Sequence, residues 1–220
     1  MTTADAVKVC FVILSTLFPI VNPLSGSPLF LALTEQYSLE TRRKLSWRVA
    51  LDSLYLMLGS YFIGAHVLRF FGVSLPVVQV GGGLVVVAMG WRMLQQEQVG
   101  DVSRATVDGT DVFGRAFYPL TMPLTVGPGS ISVAVTLGAN STHVYGFRIP
   151  VILAAIVAIS LIAVSIALCY LFADQLERRL GKTGMAVIVR LSAFLLVCIG
   201  VQIMWNGVSA LLSSVRFRVQ

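Results

Sequence analysis

Residues 18–28 read Phe-Pro-Ile-Val-Asn-Pro-Leu-Ser-Gly-Ser-Pro, and residues 118–128 read Tyr-Pro-Leu-Thr-Met-Pro-Leu-Thr-Val-Gly-Pro. The offset of 100 residues lays Pro19 on Pro119, Pro23 on Pro123 and Pro28 on Pro128. Leu24 and Leu124 are also identical, and Phe18/Tyr118, Ile20/Leu120 and Ser25/Thr125 are conservative pairs. Each copy lies inside a long apolar run. Proline lacks a backbone donor and clashes with the preceding turn, so a helix carrying three of them so close together is interrupted. Apolar helices resemble one another by chance, but three prolines in register are a poor fit to chance. The chain is read as two copies of a broken helix.

The setting of those copies is a membrane. Hydrophobic residues make up 56% of the 220, charged residues 12%, and mean hydropathy is +0.85. A soluble domain carries about a quarter charged residues. Spans of about 20 residues fit six times, at roughly 8–33, 49–71, 73–94, 116–139, 150–172 and 186–212. The expected fold is an all-α membrane protein, residues 1–220 forming a single integral domain. Lys8, an apolar run and Ser25-Gly26-Ser27 resemble a cleavable leader. Asp5 offsets the lysine, Pro28 would follow the cut, and the pattern recurs at residue 118, so the first segment is read as a retained span.

Polar connections fall at 34–48, 95–115 and 173–185. In the first, Ser38 suits an N-cap, and Glu40 and Lys44 stand one turn apart. In the second, Asp101, Asp108 and Asp111 lack a calcium-loop spacing, which leaves a solvated linker. The net charge of +6 lies between apolar runs, so it speaks for orientation in a lipid bilayer and not for nucleic acid. The three connections and their flanks hold Arg42, Arg43, Lys44, Arg48, Arg92, Arg104, Arg115, Arg178, Arg179, Lys182 and Arg190. The opposite side holds Lys8, Arg69, Arg148, Arg216 and Arg218. The positive-inside rule then places the connections in the cytoplasm and both termini outside.

A weaker match sets LVVVAMGWRML (84–94) against FLLVCIGVQIM (194–204), with Gly90 under Gly200. The halves are about 1–100 and 101–220, with three spans each. An odd number of spans makes the second copy enter from the opposite side, an inverted repeat of the kind many secondary transporters use.

In each break, Ser27-Pro28 and Gly127-Pro128 pair a permissive cap residue with a proline suited to the first helical position. First half-helices are expected to end near Val21 and Thr121, and second ones to begin at Pro28 and Pro128, with unwound residues between. In lipid such backbone must be buried by protein or line a wet cavity. The candidate substrate site is therefore Asn22, Pro23, Ser25, Gly26, Ser27 and Pro28 with Thr125, Gly127, Pro128, Gly129 and Ser130. Half-helix N-termini suit a carboxylate, and freed carbonyls suit an ammonium. Neither break carries an ionised residue. A small neutral solute, such as a zwitterionic neutral amino acid, fits this inventory; the plainer alternative is prolines that only kink helices for packing.

Other polar residues in the spans have lesser roles. Asp52 and Arg190 form a candidate gate pair at the cytoplasmic mouth. Gln79, Gln202 and Asn206 could join helices across the bundle, while Gly81-Gly82-Gly83 and Ala154, Ala158, Ala163 and Ala167 suit close packing. Cys10, Cys169 and Cys198 stand singly, and His66 and His143 form no ligand motif, so neither a metal nor another cofactor is expected. No span pairs a nucleophile with a base, and no nucleotide-binding loop occurs, so neither an enzyme nor an ATP-driven pump is expected.

The same residues carry a family resemblance. Asn22-Pro23-Leu24-x-x-x-Pro28-Leu29-Phe30 with Leu33-Thr34, then Gly82-Gly83-Leu84, Pro123-Leu124-x-x-Gly127-Pro128-Gly129, and Arg190-Leu191-x-x-Phe194-Leu195-Leu196-x-x-x-Gly200-Val201-Gln202 resemble the MarC family of bacterial six-span inner-membrane proteins. Where that family often has glycine after Asn-Pro-Leu, this chain has Ser25, and the glycine follows as Gly26. The resemblance implies kinship with small neutral amino-acid transporters and exporters of the LysE type. Two functions are carried forward: a secondary transporter of a small neutral solute, and a non-transporting membrane protein that acts as partner or regulator of another complex. The sequence has no marker of oligomeric state.

Overall fold

The computed structural model describes residues 3–95, 114, 116–146 and 148–216. The linker expected over 95–115, with Asp101, Asp108 and Asp111, lies almost wholly outside them. The helices are α1 Thr3–Val21, α2 Pro23–Thr34, α3 Leu39–Phe70, α4 Leu75–Gln95, α5 Pro128–Tyr145, α6 Ile149–Leu171 and α7 Ala173–Arg216. Ala116–Thr125, before α5, winds in wider turns, with the Val126 N–H bonded to the Thr121 carbonyl at 2.8 Å. Among the described residues, five segments are long and apolar enough to cross a membrane: Asp5–Thr34, Leu39–Phe70, Leu75–Gln95, Ile149–Leu171 and Thr183–Ser213. Ala116–Thr125 and Pro128–Thr142, bent by 70° at their junction, make a sixth if counted as one span.

Local chemistry sets the ends. Ser38 accepts the Thr41 N–H at 3.2 Å, and Lys44 reaches Glu40 at 2.8 Å, so α3 starts where its polar first turn allows. Gly72 and Gly146, with φ of +69° and +67°, follow the ends of α3 and α5. The connection expected at 173–185 is instead mostly helical: α7 begins at Ala173 and is interrupted at Gly181, with φ of +67°.

Small residues decide the packing. A Cβ on Gly83 would stand 2.6 Å from the Gly200 carbonyl oxygen, and one on Gly200 would stand 2.8 Å from that of Gly83. Likewise Gly90 abuts the Ala193 carbonyl at 2.8 Å, and Gly207 that of Pro76 at 2.6 Å. Pro76, Gly83 and Gly90 thus face Gly207, Gly200 and Ala193 along one antiparallel seam between α4 and α7. Lipid offers no hydrophobic drive between helices, so backbone contact of this kind supplies the van der Waals attraction. Gly82 meets Ser132 of α5, while Gly81 faces open space. Ala154, Ala158, Ala163 and Ala167 are all buried on α6. α3 packs on α5 and α6, α1 and α2 on α6, α2 on α7, and α4 on α5. Phe11, Tyr55, Ile63, Leu84, Trp91 and Leu195 remain exposed, as lipid-facing residues would.

Gln202 and Asn206 do not bridge helices. They bond to each other at 2.9 Å, four residues apart on an exposed face of α7.

Candidate functional site

Proline disfavours the α region in the residue before it, and the two motifs answer that pressure differently. In the first, only Asn22 leaves the right-handed region, at φ 47° and ψ 60°, a left-handed geometry that asparagine tolerates. Pro23, at the first position of α2, forfeits a donor that would be free anyway. The unwound stretch expected over 22–27 is therefore a single residue, and Pro28 lies inside α2 instead of starting it. Ser27, before Pro28, stays helical; its hydroxyl donates to the Pro23 carbonyl at 2.9 Å and lies 3.2 Å from that of Cys169 on α6.

In the second motif every residue preceding a proline is extended. Tyr118 has φ −123° and ψ 125°, Met122 φ −119° and ψ 122°, and Gly127 φ −90° and ψ 178°. The Tyr118–Pro119 and Met122–Pro123 bonds are cis. α5 begins at Pro128, as expected. Thr121 and Thr125 each donate a side-chain bond of 2.7 Å to a carbonyl five residues earlier, those of Ala116 and Leu120.

The two motifs meet at Tyr170, near the end of α6. Its hydroxyl lies 2.8 Å from Thr125 Oγ1. The Thr125 proton already serves Leu120, so Tyr170 is the donor. A Cβ on Gly26 would lie 2.6 Å from the same hydroxyl, which makes glycine the residue that admits the ring. Phe30 stacks on Tyr170, with centroids 4.5 Å apart and planes 14° off parallel. Tyr170 was not among the expected site residues. Its one signal is a phenol in a strongly apolar span, a group that needs a partner once buried.

The rest of the expected site divides. Gly26, Ser27 and Thr125 converge on Cys169–Tyr170. Gly127 and Gly129 instead face α4, against Met89 and Val86. Ser25, Ser27, Thr121, Thr125, Ser130 and Ser132 are all buried, and each is uncharged. Two groups of the first motif have no partner among the described residues: the side-chain nitrogen of Asn22 and the hydroxyl of Ser25, a residue only 5% exposed. Asn22 makes no side-chain cap to α2, so its amide is free to serve another acceptor.

The charged residues pair otherwise than expected. Asp52 binds Arg48 at 3.3 Å, one turn away on α3, and Arg190 is exposed, so no Asp52–Arg190 gate is formed. Arg42 contacts both carboxylate oxygens of Asp174 at 2.8 Å and reaches the Thr34 carbonyl at 3.3 Å. That contact puts the connections after α2 and after α6 at the same end of the bundle.

A model of the MarC family, described as an integral membrane protein family, matches residues 7–212. An inner membrane protein MarC of Salmonella typhimurium is 34% identical over 203 residues, 89% of this chain and 91% of its own length. A protein of the same name from Citrobacter koseri is 35% identical over the same shares. A UPF0056 membrane protein of Methanocaldococcus jannaschii is 28% identical over 195 residues, 88% of this chain and 93% of its own. No solved structure matches.

Proposed function

The chain belongs to the MarC family of integral membrane proteins, and from that premise we propose that it is a multi-pass inner-membrane secondary transporter of a small neutral solute. The observation that carries this reading is the convergence of both proline motifs on the Tyr170 hydroxyl, among buried groups that are polar but never charged. Within the first motif, Asn22 Nδ2 and the Ser25 hydroxyl offer unused hydrogen bonds. A buried donor without a partner costs about 1–3 kcal/mol, a cost that a bound solute would offset. A neutral amino acid has the acceptors these groups lack, and its paired charges need no ionised partner.

An inverted repeat is part of the reading. Moving residues by the 110-residue offset of the third and sixth spans carries Gly83 to Ala193 and Gly200 to Gly90. The Gly83–Gly200 contact thereby becomes the Ala193–Gly90 contact. Exchanging first with fourth, second with fifth and third with sixth spans likewise turns α3 on α5 into α6 on α1, and α4 on α5 into α7 on α2. The same motif leaves a single span, Asp5–Thr34, interrupted at Asn22 in one copy, and is bent by 70° in the other. Alternating access would exchange those two shapes between the copies.

Uptake or exchange of labelled neutral amino acids by proteoliposomes tests the proposal. Transport of at least one, reduced by changes at Asn22 and Ser25, is expected. No flux across the whole panel by folded protein would sink it. A reporter fused near Ala105 is expected to be accessible from the cytoplasm alone, as the charge count requires.

A further inference from the structure

We infer that the Arg42–Asp174 ion pair is a latch that closes the two helix breaks to solutes at one end of the bundle. The inference rests on the transport reading, because a closed path matters only where something passes.

Its geometry differs from that of its neighbours. Glu40–Lys44 and Arg48–Asp52 lie within α3, four residues apart. Arg42 and Asp174 are 132 residues apart and tie the first half of the chain to the second. Their side chains are only 12% and 34% exposed, whereas those of Lys44 and Glu40 are 61% and 79% exposed.

The pair sits at the end of a continuous series of contacts. Thr125 holds the Tyr170 hydroxyl, and Tyr170 stacks on Phe30. The Phe30 carbonyl accepts the Thr34 hydroxyl at 2.7 Å, and the Thr34 carbonyl accepts Arg42. Asp174 lies four residues past Tyr170, at the start of α7 just beyond the end of α6. Phe30, Thr34 and Tyr170 are fully or almost fully buried, so a solute cannot reach the breaks along this line while the series stands.

The energetics suit a latch better than a permanent staple. A half-buried ion pair gains Coulomb energy but forgoes hydration, and the two nearly balance. Parting at the mouth of the bundle would return both charges to water, so the closed state is favoured without being locked. The charge count puts this mouth in the cytoplasm.

Labelling of a single cysteine tests the latch without needing any transported solute. Ser25→Cys is placed in a background of Cys10→Ala, Cys169→Ala and Cys198→Ala, and a membrane-impermeant maleimide is added to everted or right-side-out vesicles. Slow labelling from both faces is expected. Asp174→Asn, and separately Arg42→Gln, should speed labelling at least about tenfold from the cytoplasmic face alone, a shift of the size one lost charge contact can produce. The swap Arg42→Asp with Asp174→Arg should return it towards the starting rate. An unchanged rate, an equal rise from both faces, or a rise the swap does not reverse would each overturn the latch. Labelling as expected in a protein that moves no amino acid would remove the transport reading and leave the latch standing.

Discussion

The Tyr170 hydroxyl donates to Thr125 Oγ1 at 2.8 Å, and it lies 2.6 Å from where a Cβ of residue 26 would stand. One phenol therefore touches both proline motifs, from a span that contains neither. Ring stacking on Phe30 leaves it little room to turn away. Two parts of the chain about 100 residues apart are held in one arrangement by this side chain.

Gly26 and Tyr170 should therefore be coupled. Gly26→Ala places a methyl 2.6 Å from the hydroxyl and 3.3 Å from the nearest ring carbon; overpacking of that kind costs about 1–3 kcal/mol. Tyr170→Phe alone loses one hydrogen bond, about 1 kcal/mol. With the hydroxyl gone, most of the Gly26→Ala penalty should vanish. A double-mutant cycle on thermal unfolding in detergent should give a favourable coupling of about 1 kcal/mol or more; additivity would show that the methyl meets something else.

The glycine triplet on α4 gives a graded prediction. Gly83→Ala drives a methyl against backbone atoms of Gly200 and Met204, each 2.6 Å away, where no side chain can yield. It should lower stability by about 1–3 kcal/mol. Gly81→Ala meets nothing within 4 Å and should be neutral, or stabilising by up to about 1 kcal/mol through helix propensity. Melting temperatures of the two variants should fall on opposite sides of the wild type or differ clearly. Equal losses would mean that the α4–α7 seam is not where the structure puts it.

Much of this was legible from proline alone. The rule that the residue before proline avoids the α region points to Asn22, Tyr118, Met122 and Gly127, and all four depart from helical geometry. It also points to Phe18 and Ser27, which remain helical. Ser27 shows why the rule fell short: its hydroxyl bonds Pro23 and approaches Cys169, the latter a contact 142 residues away. Tyr170 was hidden for a related reason, since a lone aromatic closing an apolar span has no periodic partner to mark it. Arg42 and Asp174 each look like ordinary loop charges until the fold joins them. Periodicity and proline chemistry are local; what decides between two allowed local shapes is a distant contact.

Asp52 provides a prediction about charge. Its partner is Arg48 at 3.3 Å, and Arg48 is 59% exposed, so the pair should contribute no more than about 0.5 kcal/mol. Asp52→Asn and Arg190→Gln share no contact, and their effects on stability should add to within about 0.5 kcal/mol. A larger interaction energy in that cycle would restore the gate that the structure does not form.

Asn22 and Ser25 separate binding from folding. Neither side-chain group at issue, the Asn22 amide nitrogen or the Ser25 hydroxyl, has a partner among the described residues. Ser25→Ala removes a buried hydroxyl that gains nothing from its surroundings, so the melting temperature should hold or rise. Asn22→Gly retains a residue that accepts the left-handed geometry while deleting the amide, and it should also fold, with a change of no more than about 1 kcal/mol. Asn22→Ala would confuse the test by straining the backbone at φ 47°. If these groups hold a solute, each of the two chosen variants should lower uptake by about tenfold, the worth of one hydrogen bond to a charged group. Wild-type uptake in both would remove the first motif from the binding site, and a large loss of stability would mean that an unseen structural partner had been removed instead.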